Sequence, residues 1–575
     1  MENQSTGLSK DRMQKEKILL ALLPFWTPQI PPLGISCLKG FLQPHGYEVR
    51  ILDANVEEGY RKIYNKYFDI LREYVSKEKR GNFYNIGHEV LQNHLMVHLN
   101  YENEREYIKL IKILVDRTFY FEVNDQQVQR LNAVVEEFYT WLEQYVLELL
   151  ERENPSVLGL SVYKGTLPAS MFAFQLTRKN FPHIKTVMGG AVFAQTLGMG
   201  TDNFNLFLEK SKDYLDKIII GEGETLFLKL LRHELPESQR VFTLADAGNE
   251  TMNLDSSPMP DFSGLNLPFY PNMAAYTSRS CPYQCTFCTE TIYWGKYRKK
   301  TAKKIAAELV ALSGKYQSQL FMLCDSLLNP VVNEISREFI NIDRAIYWDG
   351  YLRVDKYTCD PGKTLLWRQG GFYRARLGVE SGSQRILDLM DKKVTIDQAK
   401  TAITNLANVG IKTTTYWIVG YPDETEEDFQ QTLEMIEELK DDIYEAECNP
   451  FGFYLTGQVN SGEWTSKNKC IPLYPENARD MLIVQSWIMD CEPSREETYR
   501  RISRFVEHCN RLGIANPYSL YDISQADERW KNLHKNAVPP LVEFKNRDSY
   551  INENKYVKKM HQAKSTLTGE IKFGF

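Results

Sequence analysis

Two trains of short apolar runs, each run followed by a helix-forming stretch, constrain the fold of this 575-residue chain more than any other feature. In the first train, strand-like runs over 17–23, 48–55, 157–163, 185–191 and 217–224 alternate with helical stretches near 33–43, 167–180, 202–214 and up to 233. Nearly continuous apolar runs of this length mark strands buried on both faces. Alternation with helices predicts an α/β fold, a doubly wound parallel sheet of the Rossmann or flavodoxin-like kind. The second train places six strand–helix units, with strands at 273–278, 319–325, 345–351, 374–380, 413–420 and 444–454. Both architectures gather ligands past the carboxyl ends of their strands. The expected organisation is a loose tail over 1–16, a first domain over 17–235 and a linker rich in Pro, Ser and Asp over 236–272. A second domain over 273–475 and a charged, helical C-terminal region over 476–575 complete it. Residues 56–153 interrupt the first domain; within them 126–154 carries apolar residues at three- and four-residue steps, an amphipathic helix expected to cover the sheet.

Directly after the first strand of the second train stand Cys281, Cys285 and Cys288. Three thiolates in eight residues can converge on one soft metal centre and leave a fourth position open for chemistry. A zinc knuckle with a distant fourth ligand, or plain buried thiols, fit the spacing as well. The other seven of the ten cysteines are scattered, which suits reduced thiols and a cytoplasmic setting. A net charge of −6 offers no footprint for nucleic acid. The basic run 296–304 reads as the solvated start of a helix. No run reaches the roughly 18 apolar residues of a membrane span, and the first 16 residues lack the apolar core of a signal peptide.

The octet from Cys281 to Cys288, with Phe287 before the last cysteine, resembles the signature of the radical S-adenosylmethionine (SAM) enzymes. The segments PPLGISCLKGFLQPHGYEVRILDAN, LGLSVYKGTLPAS, VMGGAVF and IIIGEGE are similar to the cobalamin-binding domain that precedes the barrel in class B of that family. The resemblance implies a partial (β/α)6 barrel and a 4Fe-4S cluster on Cys281, Cys285 and Cys288, with SAM chelating the fourth iron. It assigns SAM contacts to Phe287, Asp325, Ser326, Arg353, Glu380, Ser381 and Gly420, the adenine lying near 418–420. Asp423 stands where the family commonly has glycine. For cobalamin the implied residues are Gly34, Ser161, Thr166, Gly189, Gly190, Gly221 and Gly223. The loop after the first strand lacks Asp-x-His-x-x-Gly, so no histidine there serves as lower cobalt ligand, which is usual in the radical SAM branch. A domain that kept its fold without the cofactor is the alternative.

In function, the resemblance implies reductive cleavage of SAM, hydrogen-atom abstraction from an unactivated carbon, and methyl transfer through methylcobalamin to a natural-product or peptide intermediate. The alternatives are an oxidoreductase, cyclase or rearrangement enzyme that uses cobalamin without moving methyl, and a non-catalytic metal-binding protein. Implied partners are a small-molecule or peptide substrate and an electron donor of the flavodoxin or ferredoxin type, with neither nucleic acid nor membrane. No protein acid or base is required for the abstraction. Cys324 and Cys448 fall near strand ends; Cys448 reads as a buried structural thiol or as a hydrogen donor. Methylthiotransferases need further N-terminal cluster cysteines, which Cys37 alone does not supply.

Overall fold

A computed structural model describes residues 16–456, 469–516 and 520–534. The tail expected over 1–16, save Glu16, and the polar Lys-rich end lie outside the described residues.

The first sheet contains β1 (Lys17–Leu22), β2 (Glu48–Asp53), β3 (Val157–Ser161), β4 (Lys185–Gly189) and β5 (Lys217–Ile219), as the apolar runs predict. A sixth strand, β6 (Val241–Phe242), extends the edge, giving the parallel order β2-β1-β3-β4-β5-β6 among the described residues. At two residues it is too short to leave a periodic signal, and it falls in the stretch expected to be linker. That stretch is in fact a packed strap. Phe262 is buried in the core of the second domain, Tyr270 Oη donates to Asp53 Oδ2 at 2.7 Å, and Lys39 Nζ reaches Ser263 Oγ at 2.7 Å. The strap crosses helix α1 (Leu33–Leu42) at Gly40, where a Cβ would lie 2.3 Å from the Met259 carbonyl oxygen. Only glycine allows so close a backbone approach.

Each face of this sheet has its own apolar cluster. One is formed with α1 and the helix Gly223–Leu231. The other is formed with the 56–153 insertion, which folds as α2 (Glu58–Tyr74), α3 (Phe83–Asn100), α4 (Glu104–Phe119) and α5 (Asp125–Glu153), and with α6 (Leu167–Asn180). Helix α5 matches the amphipathic segment and opens with a capping box between Asn124 and Gln127.

The second sheet is built from β7 (Met273–Ala275), β10 (Leu320–Leu323), β11 (Tyr347–Arg353), β12 (Phe372–Glu380), β13 (Lys412–Val419) and β14 (Glu445–Pro450), all parallel and in that spatial order. Between β7 and β10 lies a short antiparallel ribbon of β8 (Ser278–Arg279) and β9 (Arg298–Lys299). The basic run 296–304 is therefore not simply a solvated helix start. Arg298 pairs with Glu222, and Lys300 is buried against Glu308 at 2.7 Å. Alternate residues of the barrel strands turn to two different surroundings. Trp348, Leu377, Trp417 and Cys448 join the apolar layer under the helices. Asp349 and Glu445 instead pair with Arg376 (2.8 Å) and Arg374 in a buried polar interior. Cys448 thus packs with Phe505 and Cys509 of the helix Arg495–Arg511 and serves as a structural thiol.

The C-terminal region is helical over Arg495–Arg511 and Leu520–Leu533, but it also holds an antiparallel pair, β15 (Lys469–Pro472) with β16 (Trp487–Asp490). The expected boundary at 475 falls between these two strands. Two four-residue strands pairing across an intervening segment are long-range structure that local periodicity does not encode.

Candidate active site

The cysteine loop leaves the β8 strand through Ser280, whose φ of +72° turns the chain sharply. Its far side is tied to the barrel. Thr286 N donates to the Met390 carbonyl at 3.3 Å, and the Thr286 and Tyr421 hydroxyls bond at 2.9 Å. Phe287 packs with Ile386, Met390, Tyr421, Phe451 and Ile418, the last from the β13 end expected to meet adenine. Burial raises the Cys281 thiol and pushes Cys288 up to about 11, with Cys285 adding to both shifts. Among the described residues no three His, Cys, Asp or Glu side chains converge tightly enough to hold a metal ion as they stand. The donor set itself fits an iron–sulfur cluster. It comprises three soft sulfurs on one short loop, no fourth protein ligand drawn in, and a cation alongside. That cation is Arg353, whose guanidinium donates to Cys285 Sγ at 3.2 Å and lies 4.3 Å from the Tyr283 ring centre. Arg353 closes β11 instead of following it, and Asn329 brackets its backbone with bonds of 2.8 and 2.9 Å.

The strand-end residues expected to bind SAM divide into two groups. Ser326, Arg353 and Glu380 keep polar atoms near the loop. Ser326 Oγ donates to Glu290 Oε2 at 2.5 Å, and Glu380, at a β12 bulge with φ +72°, pairs with Lys392. Lys392 in turn lies 5.7 Å from the Phe287 ring centre. Asp325 and Ser381 are engaged in the scaffold. The Asp325 carboxylate accepts from Thr277 N (2.8 Å) and Oγ1 (3.1 Å) and from Ser278 N and Oγ (2.7 Å), pinning the β7 exit to the β10 end. Burial lifts Asp325 to about 6 against the pull of those donors. Ser381 Oγ accepts from Ser383 N at 3.1 Å and sits beside Thr432. Gly420 has φ +77° and donates its N–H to Glu424 Oε2 at 2.9 Å, while Arg501 clamps the same oxygen at 2.9 Å.

Beneath the loop lies a largely apolar cavity of about 380 Å³. One wall is the carboxyl edge of the first sheet, including Gly34, Ser161, Gly189, Gly190, Gly221 and Gly223; the other includes Arg279, Glu290, Cys324 and Ser326. Six of the seven residues expected to meet cobalamin therefore share one space. Thr166 does not line it. Its hydroxyl accepts from Tyr163 N at 3.0 Å and caps the turn into α6. The glycines form a cradle of two sorts. A Cβ on Gly34, Gly221 or Gly223 would meet nothing closer than 3.6 Å, so these three keep the cavity open. A Cβ on Gly190, at φ +114°, would fall 2.4 Å from Val162 N, so this glycine lets two turns touch. Trp26, in the loop without a histidine, stacks on Tyr163 at 4.2 Å and lines the same space, an apolar floor of the kind a corrin face requires. Sequence reasoning passed over Glu222, Glu224, Arg279 and Trp26. The glutamates stood in the quoted IIIGEGE segment, but their partners arrive only through tertiary packing.

The insertion reaches the barrel mouth. Asn85 Nδ2 donates to Asn449 Oδ1 at 2.5 Å, and Asn82 Nδ2 donates to the Cys448 carbonyl. Glu89 of α3 pairs with Lys164 beside the cavity at 2.6 Å and accepts from Tyr474; these contacts outweigh burial and bring it down to about 2.

The profile of the radical SAM superfamily matches residues 276–436. Over 335 residues the chain is 27% identical to an anaerobic magnesium-protoporphyrin IX monomethyl ester cyclase from Rubrivivax gelatinosus, covering 52% of this chain and 57% of that protein. The chain thus spans little more than half the length of that relative. In fold it is similar to the radical SAM methyltransferase TsrM from Kitasatospora setae, solved with tryptophan and a SAM analogue (TM-score 0.59, 13% identity, 95% of this chain and 100% of that one). It is also similar to the cobalamin-dependent SAM radical enzyme OxsB, solved with aqua-cobalamin and SAM (TM-score 0.55, 14% identity, 95% and 75%). No helix among the described residues is long and apolar enough to cross a membrane. With the cysteine loop at the mouth of a six-stranded parallel barrel and a doubly wound domain before it, the chain carries a radical SAM domain over 276–436 and has the fold of the cobalamin-dependent radical SAM enzymes.

Proposed function

We propose that this chain is a cobalamin-dependent radical SAM methyltransferase that acts on an unactivated carbon of a natural-product or peptide intermediate. The observation that carries the reading is the shared cavity, in which the glycine cradle of the first sheet and Glu290 and Ser326 beside the cysteine loop face one space. Bound there, cluster, SAM and corrinoid would supply one-electron cleavage of a carbon–sulfur bond, hydrogen-atom abstraction and a cobalt-borne methyl group.

The chain's own part is placement. Cys281, Cys285 and Cys288 would hold the iron, and Arg353 offers its guanidinium to a cluster sulfur or to a SAM carboxylate. Phe287 and Ile418 give an adenine an apolar seat. Gly34, Gly221 and Gly223 leave room for a corrin, and Trp26 and Tyr163 would exclude water from that space. The insertion narrows the barrel mouth through Asn82 and Asn85, so it is the element most able to select the substrate.

The test uses protein purified anaerobically from cobalamin-supplied cells, reconstituted with iron and sulfide, then given SAM and dithionite. Deoxyadenosine together with a bound corrinoid spectrum is the expected outcome, and a substrate would gain the mass of one methylene. Deoxyadenosine without corrinoid would discard methyl transfer through cobalt. The second reading, a cyclase or oxidoreductase that uses the corrinoid without methyl transfer, is favoured by the similarity to the Rubrivivax cyclase. One SAM consumed per turnover without mass gain identifies it.

A further inference from the structure

The cavity's two walls are joined by a buried ion-pair cluster for which the proposed chemistry has no use. Glu222 and Glu224 flank Gly223 at the start of the helix Gly223–Leu231, Glu222 as its N-cap and Glu224 in its first turn. Arg279 lies two residues before Cys281. It contacts Glu222 at 3.0 Å and Glu224 through its other terminal nitrogen, while Arg298 of β9 takes the second oxygen of Glu222. The four side chains are between 8% and 17% exposed, so solvent screens them little. The Arg279 guanidinium also lies over the Tyr276 and Trp294 rings, at 5.3 and 5.8 Å from their centres. Two carboxylates balance two guanidiniums, so the cluster asks for no charged ligand. Its geometry is that of a tie between domains.

We propose that Arg279, held by Glu222 and Glu224, is a positioning residue that couples the cysteine loop to the corrinoid-side turn, so that cluster assembly and cavity occupancy favour each other. The inference rests on the function proposed above. Three observations lead to it. Arg279, two residues before Cys281, is the loop's anchor on the N-terminal side. Glu222, Glu224 and Arg279 all line the cavity, so a ligand seated there presses on the turn that holds the anchor. The only residue between Arg279 and Cys281 is Ser280, held at φ +72° with its hydroxyl donating to the Gly295 carbonyl at 2.6 Å, so little slack separates anchor from ligand. A group bound on either side bears on this same tie, so the two binding events are coupled through it. By linkage the two effects must be equal in size.

The test is an absorbance titration of the full-length chain with hydroxocobalamin, once cluster-reconstituted and once metal-free. The cluster-loaded form should bind tighter by a factor in the usual coupling range of about 5- to 150-fold. Corrinoid should slow iron loss to a chelator in the same sense. In Arg279→Gln the ratio of loaded to metal-free affinities should fall to about one. In Arg279→Lys it should stay above one but below wild type, because an ammonium keeps the charge and cannot fork across two carboxylates. That graded ratio is a readout that general destabilisation does not produce. It also keeps the idea testable through the lysine variant if the glutamine variant fails to fold. Equal affinities in the two wild-type forms, or a wild-type ratio in Arg279→Gln, overturn the proposal while leaving the corrinoid reading intact. Absence of corrinoid binding in both forms overturns the corrinoid reading and this proposal with it.

Discussion

Gly34→Ala separates binding from stability, because the two should move in opposite directions. Gly34 is the second residue of α1 and lines the cavity; its nearest neighbour for an added Cβ is Ser161 Oγ, 3.9 Å away, and its φ is not positive. The methyl group therefore meets Ser161 Oγ only at ordinary van der Waals distance and imposes no backbone strain. Replacing a helical glycine by alanine is worth up to about 1 kcal/mol, since the unfolded chain loses freedom. A thermal midpoint equal to wild type or a few degrees higher is expected. The same methyl enters space that a corrin ring would fill. Overpacking of a fitted contact costs about 1–3 kcal/mol, which is roughly 5- to 150-fold in affinity. Hydroxocobalamin titration followed by absorbance, with thermal unfolding of the same samples, measures both. Gly190→Ala is the control, because its Cβ would strike Val162 N at 2.4 Å with φ at +114°, so it should lose stability as well as affinity. Unchanged corrinoid affinity in Gly34→Ala, within about twofold, would refute the placement of the corrin against α1.

Three further outcomes are expected. Serine at Cys281, Cys285 or Cys288 should each leave the reconstituted chain short of iron and abolish deoxyadenosine formation, measured by iron analysis and chromatography; a variant retaining full iron would remove that cysteine from the ligand set. Gly420→Ala should destabilise by several kcal/mol, about 1–3 from strain at φ +77° and about 1–3 from a Cβ lying 2.1 Å from Thr498 Oγ1. The double variant with Thr498→Ala should recover only a share of the second part, because position 498 keeps a Cβ 2.7 Å from the added one, as read in urea melts. Burial lifts Glu424 to about 7, above its ordinary 4.5, against the opposing Gly420 N–H and Arg501. The folded chain therefore holds a proton that the unfolded chain has released, and this contribution to stability grows as pH falls from about 7 towards 4.5. Relative to Glu424→Gln, wild type should gain up to about 1.4 kcal/mol per pH unit across that window; parallel stability curves for the two proteins would contradict the assignment.

Much of the architecture is legible in the sequence because it is local. The central strands of the first sheet announce themselves as apolar runs, since a strand covered by helices on both faces has no polar side to show, and the six barrel strands show as short strand-like segments alternating with helical ones. The cysteine spacing and its Phe287 are likewise contiguous, and the candidate iron ligands are readable without a fold. Tertiary structure decided the rest. Whether a polar residue at a strand end faces a ligand or the scaffold depends on its neighbours in space. Asp325 is taken up by Thr277 and Ser278, which lie 48 and 47 residues away. Cys448 turned outward because the β14 register sets Glu445 inward, and a strand alternates its faces. The two-residue β6, the β15–β16 pair and the Glu222–Arg279 tie left no periodic trace. Each depends on segments that meet only after the domains have packed, and sequence periodicity reports a residue's own element, not the partner that element will find.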